Sequence, residues 1–283
     1  MNDMILDMKN FKVGIIGNGF VGEALAFAFS SITDVCIYDI DPLKSKGTID
    51  EVHDCDFVFV CVPTPMNKNG SQDFTFVENV FKNASKKPIY IIKSTIIPGS
   101  TEKLLQDFKG IKIIFSPEFL TERKAKLDML TQPRIILGGN KSHVDKAENL
   151  FLKRFKNKNI IKTDSKTAEL IKYMNNVFFA TKVSIMNEFK LVCDAIGANW
   201  DDALYGFTSD GRIGDSHLNV PGHDGKLGYG GTCFPKDVSS FLKFSEKLNV
   251  KINTIEGGWK TNLSLRSEKD WEKKEGRSVN YKR

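Results

Sequence analysis

The sequence lacks any apolar run long enough to cross a membrane. The longest candidate, Phe20 to Ile32, is shorter than the roughly 20 residues that a spanning helix needs, and it contains Glu23. The N-terminal stretch MNDMILDMKN carries acidic residues and no positively charged start, so it does not predict a secretory signal. We therefore expect a cytoplasmic protein with no membrane partner.

Cysteine and metal-binding motifs are also scarce. The 5 cysteines are an odd number, lie far apart and form no CxxC pair, which argues against both a disulfide framework and a zinc site. The 4 histidines show no ligand spacing, and no HxE…CxxC, GxSxG or P-loop pattern occurs. We therefore predict no metal.

The net charge of +6 is modest, and half of it comes from the residues after Ser264. No aromatic residues interleave with a basic stripe, as a single-strand nucleic-acid platform would require, so no nucleic-acid partner is expected. A hydrophobic content of 41% and a charged content of 27% are typical of globular proteins. A chain of 283 residues is long enough for about two domains.

The first half alternates strand-like and amphipathic segments, which predicts an α/β fold with a Rossmann-like doubly wound sheet over residues 1–164. Several strands, such as FVFVCV, are continuously apolar, as expected when helices cover both faces. The predicted strands are Lys12 to Ile16, Val35 to Tyr38, Phe57 to Val62, Ile89 to Lys93, Lys112 to Phe115, Arg134 to Leu137 and Asn159 to Lys162.

The second half predicts a mainly α-helical central domain over residues 165–255. Apolar residues recur every three or four positions from Ser165 to Ile196, which indicates one long helix that Gly197 ends. A loop rich in glycine follows from Gly206 to Lys236, then a helix near Asp237 to Leu248. Residues 256–283 are charged and weakly patterned, and we expect a disordered tail there.

The segment KVGIIGNGFVGEALAFAF predicts a dinucleotide site. Gly17, Gly19 and Gly22 form GxGxxG between a strand and a helix, which permits a tight turn and close approach of a pyrophosphate. Asp39 ends the second strand, where a carboxylate accepts hydrogen bonds from ribose hydroxyls and repels a 2′-phosphate. The pattern favours NAD over NADP; the alternative is a glycine turn in another doubly wound protein.

Three loops follow successive predicted strands at the edge where open α/β sheets bind ligands. They are VPTP (62–65), STIIPGST (94–101) and SPEFLTER (116–123). Each is by itself compatible with a simple proline turn, but their shared location predicts one site.

Cys233 is the cysteine that we select as a candidate nucleophile. It lies in GYGGTCFPKD, a glycine-rich loop followed by Lys236 and Asp237, where neighbouring cations favour a thiolate. Lys172 and Asn176 stand at i and i+4 on the long helix and so share one face. For Lys172 alone, an ordinary surface lysine is the alternative.

In this order, the glycine fingerprint, VPTP, STIIPGST, SPEFL, the helix with Lys172 and Asn176, and GYGGTCFPKD resemble the UDP-glucose/GDP-mannose dehydrogenase family. The resemblance runs from about Lys12 to Leu248. It implies NAD-dependent four-electron oxidation of the C6 alcohol of a UDP- or GDP-sugar to a uronate, through a thiohemiacetal and a thioester on Cys233. It also implies a homodimer through the long helix and a role in polysaccharide biosynthesis.

The resemblance implies roles for individual residues. Lys172 and Asn176 match the pair that stabilises oxyanion charge, Glu118 and Glu122 match carboxylates that move protons and water, and Thr95 and Asp237 help to position water. The implied cofactor contacts are Gly17, Gly19, Phe20, Val21, Gly22, Asp39, Lys44, Pro63, Thr64, Thr95, Glu122 and Lys236. The implied substrate contacts are Phe119, Leu120, Arg212, Asn219, Tyr229 and Gly230.

The chain departs from the family pattern in two places. The stretch DSHLNVPGHDGKL, between Arg212 and Gly228, is longer than its usual counterpart, and only about 35 residues follow Leu248, where we expect the family's second nucleotide-binding domain to be absent. Two alternatives therefore stay open. One is a two-electron alcohol or hydroxyacid dehydrogenase, and the other is a non-catalytic NAD-binding assembly protein.

Overall fold

The computed structural model describes residues 11–281, which fold into two compact units. The first unit holds residues 11–64 and 74–172, and the second holds residues 65–73 and 173–281. The predicted domain boundaries at 164 and 255 stay a prediction.

The elements follow the predicted alternation of strands and helices. The described strands are β1 (Val13–Ile16), β2 (Val35–Tyr38), β3 (Phe57–Val60), β4 (Met66–Asn67), β5 (Ile89–Ile92), β6 (Lys112–Phe115), β7 (Arg134–Gly139), β8 (Asn159–Thr163) and β9 (Val279–Asn280). The described helices are α1 (Phe20–Phe29), α2 (Ile49–His53), α3 (Thr75–Lys82), α4 (Ser100–Asp107), α5 (Ala125–Thr131), α6 (Lys141–Arg154), α7 (Ser165–Ala195), α8 (Trp200–Thr208), α9 (Phe234–Lys247) and α10 (Asn253–Leu265).

The first unit contains a seven-stranded sheet in the order β2-β1-β3-β5-β6-β7-β8. Its pairs are parallel except β6 with β7, which is antiparallel. The predicted Rossmann-like sheet is therefore confirmed, with one antiparallel pair that the sequence pattern did not indicate. The order reverses direction at β1, which places the ends of β1 and β3 at a switch point, where ligands of such sheets bind.

Continuous apolar strands give this sheet a core on both faces. In β3, Phe57 and Phe59 pack in one core cluster, whereas Val58 and Val60 pack in the other. This follows from the two-residue period of a strand, which turns successive side chains to opposite faces. The two cores fix the carboxyl ends of the strands and therefore the loops that follow them.

Helix α7 has 31 residues and ends at Ala195, one residue before the predicted end, and Gly197 lies just beyond it with a φ of 71°. A left-handed residue just after a helix is a common helix end, and glycine adopts it without strain. Helix α8 contains Gly206, so the glycine-rich loop begins later than the sequence suggested.

Residues 256–281, where a disordered tail was expected, are folded. They contain most of α10, a short 3-10 helix at Asp270–Lys273, and β9, which pairs in parallel with β4. Trp271 is buried in a cluster with Met66 and Val279. Burial of its indole ring provides a small apolar core for this segment, which its many charged residues did not indicate.

Within residues 11–281, no helix combines the length and apolarity that crossing a bilayer requires. In the same range, no three His, Cys, Asp or Glu side chains come together in a group suited to a metal ion.

Candidate active site

The glycine turn between β1 and α1 has two glycines that the protein itself requires. Gly17 has a φ of 94°, and a Cβ there would lie 2.7 Å from the carbonyl oxygen of Cys61. A Cβ on Gly22 would collide with the carbonyl oxygen of Gly17. Gly19 differs, because its φ of −82° suits any residue and a Cβ there would meet no atom within 4 Å. The protein's own packing leaves Gly19 unexplained, whereas close approach of a ligand to the start of α1 explains it.

Asp39 organises the same turn. One carboxylate oxygen accepts the backbone N–H of Asn18 at 2.6 Å, and the other accepts that of Asp41 at 2.9 Å. The Asn18 side chain donates to the carbonyl oxygen of Lys44 at 2.7 Å, so Asp39, Lys44 and the glycine turn form one connected loop cluster. The buried amide oxygen of Asn18 has no hydrogen-bond partner in the protein. Asn18 was not among the predicted site residues, because it stands at the second position of GxGxxG, where the motif specifies no residue type.

The loops after β3, β5 and β6 are joined by hydrogen bonds. The Thr64 hydroxyl donates to the carbonyl oxygen of Thr95 at 2.8 Å, and the Ser94 hydroxyl donates to that of Val62 at 2.6 Å. The backbone N–H of Ser116 donates to the carbonyl oxygen of Ile92 at 2.9 Å. VPTP, STIIPGST and SPEFL therefore meet at one sheet edge, with Pro63 exposed there.

Lys93 connects two of these loops and was not among the predicted site residues. Its ammonium donates to the Ser116 hydroxyl at 3.2 Å and to the carbonyl oxygen of Pro117 at 2.9 Å. Burial disfavours the charged form and lowers the pKa of Lys93 to about 8, against the opposing influence of Cys61 and Glu118. The sequence does contain a feature that could have indicated Lys93 as a site residue, namely a lysine that directly follows the continuously apolar run IYII.

Glu118 and Lys172 form a buried ion pair in the first unit. The Lys172 ammonium lies 2.9 Å from Glu118 Oε1 and donates to the Glu118 carbonyl oxygen at 2.6 Å. The second carboxylate oxygen accepts the backbone N–H of Leu120 at 2.7 Å. Burial opposes ionisation of Glu118, but the charge of Lys172 and these hydrogen bonds outweigh it and hold the pKa of Glu118 below its ordinary value. Lys172 is thus no ordinary surface lysine.

The residues after Glu118 occupy different environments. Phe119 has the Arg134 guanidinium 4.7 Å and the Lys172 ammonium 5.5 Å from its ring centroid, both within cation–π range. Leu120 packs against the apolar core of the first unit. Glu122 is exposed and begins a 3-10 turn.

In the second unit, Cys233 is the residue that precedes the first turn of α9. Near it in the chain, the Asp237 carboxylate accepts the Asn176 amide at 2.6 Å and the Lys236 ammonium at 2.5 Å. Asn176, Lys236 and Asp237 are all buried. Three of the predicted site residues therefore form one network, and Cys233 precedes the helix turn that carries two of them.

The predicted substrate residues of the second unit fall into two groups. Tyr229 is buried, which raises the pKa of its hydroxyl, and it lies beside Gly230 in the loop before Cys233. Arg212 and Asn219 are exposed, and the Arg212 guanidinium pairs with Asp210. All five cysteines are thiols.

Family models match most of the chain. Residues 42–155 match the model for the NAD binding domain of the UDP-glucose/GDP-mannose dehydrogenase family, and residues 166–264 match the model for its central domain. The UDP-glucose 6-dehydrogenase of Campylobacter jejuni is 34% identical over 269 residues, which cover 82% of this chain and 67% of that protein. The chain belongs to the UDP-glucose/GDP-mannose dehydrogenase family.

Other members of this family are also similar to this chain. The UDP-glucose 6-dehydrogenase of Rickettsia conorii is 32% identical over 220 residues, covering 75% of this chain and 50% of that protein. A UDP-glucose dehydrogenase structure from Pyrobaculum islandicum has a TM-score of 0.83 at 23% identity, covering 93% of this chain and 70% of that one, which shows the shared fold. The chain spans between one third and two thirds of the length of the curated relatives compared.

The NAD prediction is confirmed by the match to the family's NAD binding domain. The glycine turn lies ahead of the matched residues, and its geometry fits the cofactor independently. Gly19 leaves space at the start of α1, and the unpartnered Asn18 oxygen offers an acceptor beside Asp39. Gly17, Asn18, Gly19 and Asp39 are therefore residues that could hold NAD.

Proposed function

We propose that the chain is an NAD-dependent nucleotide-sugar 6-dehydrogenase that oxidises the C6 alcohol of a UDP- or GDP-sugar to a carboxylate. Family membership supports the class of reaction. The observation that supports a four-electron oxidation is the position of Cys233 at the start of α9. In the first turn of that helix, the Asp237 carboxylate binds Asn176 and Lys236. An enzyme that oxidised only an alcohol to an aldehyde would not need the thiol.

In the first oxidation, the C6 alcohol loses a hydride from carbon and a proton from oxygen, which leaves an aldehyde. Bound NAD⁺ supplies the chemistry of hydride acceptance in both oxidations. We assign Lys172 to stabilisation of the oxygen as it becomes anionic, since it is a buried ammonium held by Glu118. Glu118 and Glu122 are assigned to proton and water handling, with Thr95 positioning water.

In the second oxidation, the thiolate of Cys233 forms a bond to the aldehyde carbon, and the carbonyl oxygen takes the electron pair. This thiohemiacetal loses a second hydride and becomes a thioester. Water then adds to the thioester carbon, the C–S bond breaks, and the thiolate and the sugar acid separate. The Asn176 amide is suited to stabilise the oxyanions, and Asp237, which fixes Asn176, is suited to orient water.

The test follows NADH absorbance across a panel of UDP- and GDP-sugars. The proposal predicts two NADH per sugar for the natural chain and an arrest before the acid for Cys233→Ser. Cys193→Ser is the matched control, because Cys193 is a buried thiol whose Sγ donates to the carbonyl oxygen of Ala198 at 3.2 Å. One NADH per sugar from the natural chain would instead support the two-electron dehydrogenase. Tight NAD binding without NADH formation would support the assembly protein.

We also propose a homodimer through α7, in the cytoplasm and in polysaccharide biosynthesis. Large apolar side chains at spacings of three, four or seven residues are exposed along α7 in the single chain; they are Met174, Phe178, Ile185, Phe189 and Val192, with Ile196 directly after the helix. A continuous exposed apolar stripe marks an association surface. Phe178→Glu is expected to convert a dimer at micromolar concentration to a monomer by light scattering, and a monomeric natural chain would contradict the proposal.

A further inference from the structure

The loop before Cys233 is held by side chains from α7, α10 and the turn that follows α10. We call residues 228–233 the cysteine loop. Asn262 is buried in α10, and its amide bonds both backbone groups of Tyr229, accepting the N–H at 2.7 Å and donating to the carbonyl oxygen at 3.1 Å. From α7, Asn187 accepts the N–H of Gly228 at 3.0 Å. The loop backbone is thereby fixed at its first two residues.

A second hold lies two residues before Cys233. Asp270 accepts the backbone N–H of Gly231 at 2.9 Å. Its other carboxylate oxygen lies 3.2 Å from the guanidinium of Arg266, which is buried and also pairs with Asp224 at 2.5 Å. A buried guanidinium between two carboxylates fixes the carboxylate that holds Gly231.

The glycines of GYGG are fitted to these side chains. Gly228 has a φ of 66°, which favours glycine, and a Cβ on Gly230 would lie 2.9 Å from Arg266 Cζ. Gly228 and Gly230 therefore lack side chains at the positions where Asn262, Arg266 and Asp270 lie closest to the loop backbone. Contacts within the protein thus account for Gly228 and Gly230, and they come from a segment that was expected to be a disordered tail.

We propose that Asn262, Arg266 and Asp270 are positioning residues that hold Cys233 for the second oxidation. We call these three residues the clamp. The proposal rests on the proposed function, because it assigns them to the step in which the thiolate attacks the aldehyde. The first oxidation needs no thiol, so loss of the clamp should affect the second oxidation selectively. Misplacement of a reacting group by about 1 Å costs roughly 10²-fold in rate.

The test compares Asn262→Ala, Asp270→Ala and Asp270→Asn with Ser264→Ala. Ser264 is an exposed residue of α10 whose hydroxyl bonds the carbonyl oxygen of Thr261, so it controls for substitution in this region. Asp270→Asn keeps an oxygen for the N–H of Gly231. In single turnovers with excess NAD⁺ and a trap for the aldehyde, the two oxidations are measured separately.

We expect the second oxidation of Asn262→Ala and Asp270→Ala to slow by about 10²-fold relative to the first. Asp270→Asn should recover most of the loss, and Ser264→Ala should match the natural chain. If the two oxidations slow together, or neither slows, the residues only support the fold and the proposal is overturned.

A second measurement needs no sugar. The rate of Cys233 alkylation by iodoacetamide is followed by peptide mass spectrometry, with the other four thiols as folding controls in the same sample. Clamp variants should lower this rate about fivefold, because Cys233 would no longer be held at the N-terminus of α9, where the helix dipole stabilises negative charge. An unchanged or higher rate refutes the clamp. If the natural chain reduces no NAD⁺ with any sugar, the proposed function fails, and the alkylation rates alone decide the clamp.

Discussion

The buried pair of Lys172 and Glu118 gives the sharpest prediction about stability. Its side chains are only 4% and 7% exposed, so each charge depends on the other for compensation. Glu118→Gln keeps the size and an oxygen near Lys172 but removes the negative charge. Removing one partner of a buried ion pair costs about 3–5 kcal/mol, because the remaining charge is buried without its partner. We therefore expect the unfolding free energy of the first unit to fall by that amount.

The matched control is the pair of Lys87 and Asp54, in the same unit. Its N···O distance is 2.5 Å, but its side chains are 50% and 65% exposed. Solvent screens such a pair, so Asp54→Asn should cost far less unfolding free energy than Glu118→Gln. Urea unfolding followed by a probe in the first unit measures both variants at pH 7. Equal and small costs would refute the reasoning, because burial would then have no effect on the pair.

The pH dependence supplies an independent check. The pKa of Glu118 is held below its ordinary value in the folded chain, so its contribution to stability is fully present above the ordinary carboxyl range. It is lost as pH falls through the lowered value. The difference in unfolding free energy between the natural chain and Glu118→Gln should therefore shrink on acidification, and a constant difference would contradict this assignment.

Three further predictions concern single residues. Gly257→Ala should stabilise the chain by about 0.5–1 kcal/mol, because Gly257 lies inside α10 with open space around it, and a lower melting temperature would contradict this. Burial lowers the pKa of Lys93 from 10.5 to about 8 in the folded chain, so between these pH values the unfolded chain binds more protons than the folded one. The unfolding free energy of the natural chain relative to Lys93→Met should therefore rise with pH over that range. Urea midpoints of both proteins at pH 8 and at pH 10.5 test this sign, and a fall with pH would contradict it. Gly19→Ala should weaken NAD binding, measured by titration calorimetry, and leave the urea midpoint unchanged. Gly17→Ala should lower the urea midpoint, because its Cβ would meet the Cys61 carbonyl oxygen. Equal urea midpoints for the two variants would contradict this distinction.

Strand positions were predictable because a buried parallel sheet leaves a simple apolar signal. β2 and β6 match their predicted bounds, and α7 ends one residue from the predicted end. The antiparallel pairing of β7 was not predictable, since the apolar pattern of a strand covered on both faces is the same in either direction.

The chemical residues were predictable to a different degree. Motif spacing indicated Cys233 and Asp237, but the network that joins Asp237 to Asn176 depends on how two distant helices pack. Lys93 was missed because it continues an apolar strand, and its partners come from the next loop.

The folded segment after α9 was the largest omission. Its charges gave no periodic pattern, yet Arg266 and Asp270 are paired with each other and with the cysteine loop. Charge composition indicated solvent exposure, whereas the arrangement of opposite charges in space allows burial of Arg266. Two tryptophans, Trp259 and Trp271, were the strongest apolar signals in this stretch of sequence, and both lie in or against the cluster with Met66 and Val279.

The most direct measurement of the central claim is the number of NADH molecules formed per nucleotide sugar consumed. The natural chain should form two, with a uronate as product, and Cys233→Ser should yield no acid. A yield of one NADH with an aldehyde product, unchanged by Cys233→Ser, would contradict the assignment of Cys233 as the nucleophile of a four-electron oxidation.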